Sequence, residues 1–330
     1  MYPLRFKPIF QRYLWGGFRL RDVLGKDTGD QAAAESWELV DHKDAQSEVL
    51  YGSLAGQSLR QIIASDPEGI LGKKLAAQLA AESIPQPLRN RFPLLLKFLD
   101  ASRDLSIQVH PDDAMGATLS PPDLGKTEAW YVMDAQPGAK IYAGLKEGVD
   151  EAAFRAAADA GKTPEMMHSF EPKSGDCVFI KAGTLHAIGA GLLIAEIQQA
   201  SNTTFRIDDW GRVDADGNPR QLHLSQGIAA TDFSRGPVSA CAGEKGDDFE
   251  TLIACDKFTF RRYSLGDKVT VGGDGKFRII AVTSGSLMVQ NDPSESPLAK
   301  AQTALLPASL AATALTAQGG ETEFLEILVD

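Results

Sequence analysis

The sequence has few cysteines, few histidines and a deficit of positive charge. Its 330 residues include three cysteines and five histidines, and 33 Lys and Arg stand against 44 Asp and Glu, giving a formal net charge of −11. Cysteines at Cys177, Cys241 and Cys255 are too few and too scattered for a disulfide framework or a cysteine-based zinc site, so we expect free buried thiols in a reducing compartment. The acidic balance argues against a nucleic-acid or anionic-membrane surface, because both need clustered Lys and Arg.

Long apolar runs and nucleotide-binding loops are also missing. No apolar run approaches the ~20 residues that span a bilayer, and the N-terminal MYPLRFKPIF lacks the apolar stretch of a signal peptide. Neither GxGxxG nor GxxxxGK[ST] occurs, so no motif supports nucleotide binding. We therefore expect a cytoplasmic protein that binds no membrane and no nucleic acid. A small anionic substrate fits this balance, since one local basic pocket suffices for it.

Most of the chain consists of short apolar runs separated by Gly, Pro, Asp or Asn, which is typical of β-strands. Helical periodicity is confined to residues 58–82, with a break at Asp66-Pro67, and to an alanine-rich stretch that begins at Asp150 and stops at Gly161. Many short strands favour a β-sandwich or small barrel over a parallel α/β sheet. The strands predicted in the first two thirds of the chain are 94–100, 105–110, 128–134, 139–145, 176–183 and 192–199.

A seam between two domains is predicted at residues 234–248, where Gly, Pro and charged residues replace the apolar runs. Strand-like runs resume after it and continue to the end of the chain, which indicates a second, smaller β domain of about 80 residues. No histidine follows His223, so this domain cannot hold a comparable histidine-based metal site. We expect it to have a packing role.

The distribution of the histidines points to a metal site. Gln108 and His110 in LSIQVHPDD share one face of a strand, because side chains at positions i and i+2 project from the same side. Glu128 opens the next strand-like run, and His186 follows in AGTLHAIG. Two imidazoles, a carboxylate and an amide oxygen suit zinc or another divalent metal, and a weak fourth ligand is typical of a catalytic site. Strand alternation alone leaves open that these are hydrogen-bonded core residues.

Three charged residues interrupt apolar runs, and a fourth, Lys126, lies two residues before Glu128. Glu196 lies inside LLIAEIQQ, where a carboxylate is costly unless it is paired or used, or else it faces outward from the sheet. Arg206 is suited to clamp a phosphate or stabilise an oxyanion, or it forms a surface salt bridge with a neighbouring aspartate. Lys97 and Lys126 could supply positive charge to an anionic substrate or extend to solvent.

The segments that carry these residues resemble the type I mannose-6-phosphate isomerases, specifically their short bacterial branch. The helical stretch at 57–82 is too short for the helical domain of the long and eukaryotic forms, so contacts from that domain do not carry over. The resemblance covers about residues 1–235 and rests on KPIFQRYLWGG, AESWELVDH, FPLLLKFLDASRDLSIQVHPDD, GKTEAWYVMDAQPGAKIYAGLK, GDCVFIKAGTLHAIGAG and LLIAEIQQASNTTFRIDDWGR, in that order.

This resemblance implies a mostly β fold, a double cupin of two β-barrel (jelly-roll) domains with a small helical insertion. It implies a metal-binding catalytic domain at 1–235, with the insertion at about 57–82, and a cupin-like β domain without metal ligands at 236–330. One Zn²⁺ per chain is expected. The family's metal ligands match Gln108, His110, Glu128 and His186, its active-site arginine matches Arg206, and its pocket positions match Ser106, Lys126 and Glu196.

The implied reaction interconverts D-mannose 6-phosphate and D-fructose 6-phosphate by moving a proton between C2 and C1 through an enediol or enediolate. Glu196 is the first candidate for the carbon base, since a carboxylate in a partly apolar wall has a raised pKa. Lys126 is a candidate for proton transfer between oxygens, and Arg206 for stabilising negative charge or holding the sugar. Ser106 and Lys97 are expected to bind the substrate.

Rival functions are a related cupin isomerase for another sugar phosphate and a non-catalytic sugar-binding cupin. The second does not need all four ligand positions together with Arg206. A dehydrogenase or dioxygenase is disfavoured, because no dinucleotide fingerprint is present and the motifs around the metal-binding residues match the isomerase. The sequence leaves open the oligomeric state and the metal used in the cell.

Overall fold

Short apolar runs bounded by glycine, proline and acidic residues form strands in the computed structural model, which describes residues 1–43, 45–213 and 217–330. All six strands predicted in the first two thirds are confirmed there. The strands of this part are β1 (Ile9–Gln11), β2 (Glu35–Leu39), β3 (Asp41–His42), β4 (Ala45–Gln46), β5 (Leu94–Ala101), β6 (Ile107–Val109), β7 (Glu128–Ala135), β8 (Ile141–Leu145), β9 (Met167–Phe170), β10 (Cys177–Ile180), β11 (His186–Ile188), β12 (Leu192–Gln199) and β13 (Phe205–Asp208). Those of the last third are β14 (Glu244–Lys245), β15 (Glu250–Ala254), β16 (Thr259–Leu265), β17 (Lys268–Val271), β18 (Arg278–Ser284), β19 (Ser286–Val289), β20 (Leu298–Ala299), β21 (Thr303–Leu306), β22 (Thr313–Ala317) and β23 (Thr322–Leu328).

The strands form two pairs of sheets, which confirms the mostly β fold. In the first pair, a six-stranded sheet in the order β1-β2-β5-β12-β7-β10 packs on a five-stranded sheet in the order β13-β6-β11-β8-β9. In the second pair, the orders are β14-β15-β16-β23-β18-β21 and β17-β22-β19-β20. Each pair encloses its own apolar core between the facing sheets. We call these pairs the first and second barrels.

Helices connect the strands and are short. The predicted helical stretches are confirmed: Ser58 and Gln61 form a capping box at the first, Asp66 caps the next, and Asp150 caps the alanine-rich helix. Four helices of four to seven residues were not predicted, because so few residues show no periodicity. No helix of the described residues is both long and apolar enough to cross a membrane. The helices are α1 (Arg19–Asp22), α2 (Leu59–Ser65), α3 (Pro67–Leu71), α4 (Lys73–Leu79), α5 (Asp113–Thr118), α6 (Glu151–Asp159), α7 (Thr163–Met166) and α8 (Leu224–Ala230), with a 3₁₀ turn at Gln86–Leu88.

The six-stranded sheet of the first barrel is buried on both faces. On β12, Leu193, Ala195 and Ile197 pack into a core shared with the helices and the second barrel. The alternate residues Ile194 and Glu196 point into the interior of the first barrel, between its two sheets. Strands covered on both faces have few polar positions. A charged side chain on such a strand therefore has to be accommodated inside the barrel.

Besides the cores inside each barrel, another apolar core lies between the two barrels, and residues of α2, α3 and α4 belong to it. At the N-terminus, Leu4 exchanges two backbone hydrogen bonds of 2.8 Å with Leu305 of β21 in the second barrel. The domain boundary at 235/236 stays a prediction. Strands of the two barrels lie on either side of it, and the segment that follows it hydrogen-bonds to β8 and β10 of the first barrel.

The three cysteines are free thiols that differ in exposure. The expectation of buried thiols is confirmed for Cys177 and wrong for Cys241 and Cys255, which are partly exposed. Cys241 is partly exposed because it lies in the segment between the barrels rather than inside a strand.

Candidate active site

Rows of neighbouring residues across both sheets of the first barrel position the polar side chains. In the five-stranded sheet, Gln108 on β6 is paired with His186 on β11 and with Arg206 on β13. In the six-stranded sheet, Glu196 on β12 is paired with Lys97 on β5. These rows face each other across the barrel interior. His110 follows β6 directly, and Glu128 is the first residue of β7, so both belong to the same end of the barrel.

His110, Glu128 and His186 form a buried cluster whose ligand atoms all lie within 4.8 Å of one another. Nε2 of His110 lies 3.5 Å from Oε2 of Glu128, and Nε2 of His186 lies 3.4 Å from Oε1 of the same carboxylate. A tetrahedral metal with bonds of about 2.1 Å separates its ligands by roughly 3.4 Å. The two distances from histidine nitrogen to carboxylate oxygen are therefore those expected between ligands of one metal ion.

Both imidazoles are held in one tautomer by the backbone. Nδ1–H of His110 donates to the carbonyl of Thr203, and Nδ1–H of His186 donates to the carbonyl of Thr184, each over 2.9 Å. The Nε2 lone pairs are thereby directed at the cluster, which is the usual arrangement around a metal. Burial, and then the charge of Lys126, hold the pKa of His110 well below its usual value; burial lowers that of His186 to about 4. Both rings are neutral and able to bind a metal.

Two further observations indicate that a cation fits this cluster. Within the described residues, Oε2 of Glu128 accepts no hydrogen bond, although the Lys126 ammonium lies 2.8 Å away as an ion pair. In the same buried region, the three carboxylates of Glu35, Glu128 and Glu196 face the two ammonium groups of Lys97 and Lys126. One negative charge is left uncompensated, and isolated buried charge is costly.

Gln108 borders the cluster on the side of Ser106. The hydroxyl of Ser106 donates to the amide oxygen of Gln108 over 3.2 Å, and the amide nitrogen of Gln108 lies 3.3 Å from Nε2 of His186. An amide binds a metal through its oxygen. Gln108 as a fourth ligand therefore stays a prediction.

Glu196 is held between two lysines. Its Oε1 lies 3.2 Å from Nζ of Lys97 and 3.8 Å from Nζ of Lys126. Lys97 also donates to Glu35 over 3.0 Å. Burial, and then the neighbouring charge of Glu128, raise the pKa of Glu196 despite the lysines. Burial alone would lower the pKa of Lys97, but the surrounding carboxylates outweigh burial and raise it.

Lys126 lies at the cluster itself. Its ammonium donates to Nε2 of His110 over 2.9 Å and lies 2.8 Å from Oε2 of Glu128. Neither Lys126 nor Lys97 reaches solvent, since both are more than nine-tenths buried. The alternative that these lysines extend to solvent is therefore wrong.

Arg206 belongs to a second, positively charged group at the cavity wall. Three guanidinium groups, those of Arg206, Arg212 and Arg220, surround the single carboxylate of Asp209. Asp209 accepts from Arg212 and Arg220, while Arg206 donates to the carbonyl of Gln221 over 2.9 Å. Burial and then the charge of Arg220 lower the pKa of Arg206. Among the residues that the structure describes, the guanidinium groups here outnumber the carboxylates by two.

A cavity of about 300 Å³ joins the two groups, and its size suits a small polar ligand. His110 and His186 lie buried behind its wall in the cluster with Glu128. The other predicted site residues line the cavity: Lys97, Ser106, Gln108, Lys126, Glu128, Glu196 and Arg206. The structure thus brings all the predicted site residues into one region.

Several polar or aromatic residues of the cavity were not assigned from the sequence. Asn202 and Thr204 stand next to Arg206 in SNTTFR, and this proximity was the available signal. Tyr13 and Trp15 stack on each other with ring centroids 5.6 Å apart, and they occur in the YLWGG segment. Arg220 had no local signal, because a charged residue in a loop looks like any solvated side chain.

Two antiparallel barrels with a buried cluster of two histidines and a glutamate define a cupin-like metalloprotein. The family profile described as phosphomannose isomerase type I, catalytic domain, matches residues 4–180. The chain is 33% identical to mannose-6-phosphate isomerase ManA of Bacillus subtilis (strain 168) over 93% of this chain and 94% of that protein. It is 31% identical to the mannose-6-phosphate isomerase of Streptococcus mutans over 92% of both proteins.

Among solved structures, the mannose 6-phosphate isomerase from Bacillus subtilis superimposes with a TM-score of 0.85 over 99% of both chains at 26% identity. A putative mannosephosphate isomerase from Archaeoglobus fulgidus shares the fold, with a TM-score of 0.77 at 19% identity over 100% of this chain and 98% of that one. The chain belongs to the type I phosphomannose isomerase family. This confirms the resemblance identified from the sequence motifs.

Proposed function

We propose that this chain catalyses the reversible interconversion of D-mannose 6-phosphate and D-fructose 6-phosphate. One observation carries the proposal: a buried His-Glu-His cluster and a carboxylate with a raised pKa border the same small cavity as a group of three arginines. Aldose–ketose isomerisation needs each of these parts. It requires a base at the carbon, stabilisation of a developing oxyanion and a holder for the phosphate.

The cluster would hold one zinc ion per chain through His110, Glu128 and His186, with the amide of Gln108 as a weak fourth ligand. Two nitrogen donors and one carboxylate suit zinc, and a weak or exchangeable fourth position suits catalysis. A bound zinc ion would supply Lewis acidity that polarises the substrate's carbonyl or hydroxyl oxygen.

Glu196 would act as the carbon base, taking the proton from C2 of the aldose and returning it to C1. Burial makes its carboxylate a stronger base than an exposed one. The ammonium of Lys97 at 3.2 Å opposes protonation of this carboxylate and fixes its position. Because Lys97 is held between two carboxylates, we assign it to positioning Glu196 rather than to direct contact with the phosphate.

Lys126 would move a proton between the two oxygens of the enediol. Its ammonium is held at the metal cluster on one side and faces Glu196 on the other. Ser106, whose hydroxyl contacts Gln108, would bind a substrate hydroxyl from the cavity wall.

The phosphate would lie at the arginine group. The lysines of the cavity are already neutralised by carboxylates, whereas among the described residues three guanidinium groups share one aspartate. This excess of positive charge suits a phosphate dianion, which guanidinium groups recognise in a bidentate manner. Arg206 is the member of this group that is paired with Gln108 across neighbouring strands, so it would also stabilise negative charge on the enediolate.

The test is an assay of fructose 6-phosphate formation from mannose 6-phosphate, with chelator and with zinc restored. We expect activity that the chelator removes and zinc returns, and exchange of solvent deuterium into the substrate at C2 or C1. Glucose 6-phosphate, the C2 epimer, and a pentose 5-phosphate serve as comparison substrates. Turnover of one of these in place of mannose 6-phosphate would indicate another sugar-phosphate isomerase.

Two histidine variants separate a metal effect from a general one. His110→Ala should lose both metal, measured by elemental analysis, and activity, while the circular dichroism spectrum is retained. His168→Ala, on β9 and outside the cluster, should keep both. Absence of turnover in protein shown to contain its metal would favour the sugar-binding alternative.

A further inference from the structure

Two cysteines that are distant in sequence meet at the edge of the first barrel. Cys177 lies on β10, which is an edge strand of the six-stranded sheet. The segment between the barrels runs along this edge, where the backbone N–H of Cys241 donates to the carbonyl of Cys177 over 2.7 Å. This backbone hydrogen bond holds the two cysteines side by side, and adjacent backbones are the starting geometry for a disulfide.

The two thiols have unequal environments. Cys177 is buried, whereas Cys241 is partly exposed and can be reached from solvent. The neighbouring Cys177 thiol, and then the backbone N–H of Phe179, lower the pKa of Cys241 to about 7. The same thiol contact, together with burial, raises the pKa of Cys177 well above its usual value. For Cys255, burial raises the pKa.

We propose that Cys241 is a site of oxidation by hydrogen peroxide and that Cys177 is its resolving partner, so that the pair forms a reversible disulfide. The Cys241 thiolate attacks the peroxide: an S–O bond forms, the O–O bond breaks, and the leaving hydroxide takes a proton to become water. The Cys177 sulfur then attacks the sulfenic sulfur: an S–S bond forms, the S–O bond breaks, and the second hydroxide leaves as water with the Cys177 proton. Two thiols are oxidised by two electrons in total, and one peroxide is reduced to two waters.

The oxidised bond would tie the segment before the second barrel to a strand next to the metal site. Cys177 is paired with Tyr131 on β7, and Glu128 begins that strand. The reaction does not depend on the isomerase activity. Its outcome can therefore be measured whether or not the proposed function holds.

The test uses the reduced full-length protein, which is treated with hydrogen peroxide, blocked with N-ethylmaleimide and digested without reductant. We expect mass spectrometry to find a peptide pair linked through Cys177 and Cys241 that dithiothreitol separates. At pH 7, iodoacetamide should alkylate Cys241 at least about fivefold faster than Cys255, because thiolate fraction outweighs the lower nucleophilicity of an acidic thiol. Absence of the linked pair, or equal alkylation of Cys241 and Cys255, would overturn the proposal.

Three serine variants assign the roles. Cys241→Ser should abolish the linked pair, and Cys255→Ser, the matched control at the other partly exposed cysteine, should leave its yield unchanged. Cys177→Ser should leave a sulfenic acid on Cys241 that dimedone traps. Loss of the linked pair in Cys255→Ser would contradict the assignment even if Cys177→Ser does not fold.

Discussion

Glu196 and Glu38 are buried glutamates that each pair with a buried lysine, and comparing them gives a matched test of the proposed base. Glu196 lies 3.2 Å from Lys97 inside the cavity, whereas Glu38 lies 2.7 Å from Lys26 outside it. We expect Glu196→Gln to lower kcat by about 10²–10⁴-fold, because general-base catalysis contributes on that order. KM and metal content should change little. The measurements are steady-state kinetics, elemental analysis and deuterium exchange at C2.

Glu38→Gln disturbs a buried ion pair of the same kind without touching the cavity. It should lower the free energy of unfolding and leave kcat near the wild-type value. If Glu196→Gln keeps normal turnover and normal exchange, Glu196 is not the base. If both variants lose activity equally, the loss comes from disturbing a buried pair rather than from the base.

Arg220 and Arg212 both pair with Asp209. Of these two arginines, Arg220 is the one found among the described residues that line the cavity. Arg220→Gln removes one of the three positive charges of the arginine group. Because a hydrogen bond to a charged group contributes about 1.5–3 kcal/mol, KM for mannose 6-phosphate should rise about tenfold or more, with kcat changing less. Steady-state kinetics and inhibition by inorganic phosphate measure the effect.

Arg212→Gln is the control, since it removes a guanidinium from the same aspartate without opening the cavity wall. It should leave KM and phosphate inhibition near wild type. An unchanged KM in Arg220→Gln would move the phosphate away from this group.

At the residue scale, side chains in recognisable runs could be predicted and those in loops could not. Glu196 and Lys97 stood out because a charge inside an apolar strand needs a reason. Their pairing was hidden, because it depends on the register of β12 against β5. Arg220 is in a loop, where charge is expected anyway, and the fold alone brings it to the cavity.

At the scale of elements, the connection between β6 and β7 positions two parts of the site. Lys126 lies near the end of this connection, and its backbone N–H donates to the carbonyl of Pro111, next to His110, over 3.0 Å. Gly125 lies against the start of α5, where a Cβ would come within 2.5 Å of the backbone nitrogen of Asp113. Its own N–H donates to the Asp113 side chain over 2.8 Å. The connection thus holds Lys126 against the segment that follows His110.

Gly125→Ala should displace this connection and with it the Lys126 ammonium. We expect the free energy of unfolding to fall by about 1–3 kcal/mol, as in other overpacked sites. We also expect kcat to fall about tenfold or more, because a displacement of about 1 Å can cost 10²-fold. Chemical denaturation and kinetics measure the two effects.

Gly266→Ala is the matched control, because a Cβ at Gly266 meets nothing within 4 Å and the glycine has no positive φ. It should change neither stability nor kcat appreciably. A Gly125→Ala variant with normal kcat would mean that the Lys126 position tolerates movement of its connection.

Strand content and the longer helices could be predicted because each has enough residues to show a period or a cap. The burial of both faces of the six-stranded sheet could not be predicted. An apolar run such as LLIAEIQQ shows how hydrophobic a strand is, but it does not show what covers each of its faces. The short α5 was missed for lack of length, yet it fastens the Lys126 connection.

At the scale of the whole molecule, the two barrels are joined by apolar packing rather than by a flexible linker. Their common core includes residues of α2, α3 and α4 and of the facing sheets of both barrels. The N–H of Ala308 in the second barrel donates to the carbonyl of Ile70 in α3 over 3.1 Å. A shared core of this kind makes the stability of each barrel depend on the other. We therefore expect one calorimetric unfolding transition for the chain, with equal calorimetric and van't Hoff enthalpies.

Gly72, between α3 and α4, tests this coupling at a point where the helices meet the second barrel. Its φ is +86°, and a Cβ there would lie 2.2 Å from the carbonyl oxygen of Gly275. Gly56 has φ +82° and open space around its Cβ position, so Gly56→Ala carries the backbone strain without the clash. We expect Gly72→Ala to lower the free energy of unfolding by about 1–3 kcal/mol more than Gly56→Ala does, because the added methyl forces the two parts of the molecule apart. The single transition should move to lower temperature as a whole, since the barrels unfold together. Two separate transitions in the wild type, or equal shifts in the two variants, would show that the barrels are stabilised independently and that the shared core does not couple them.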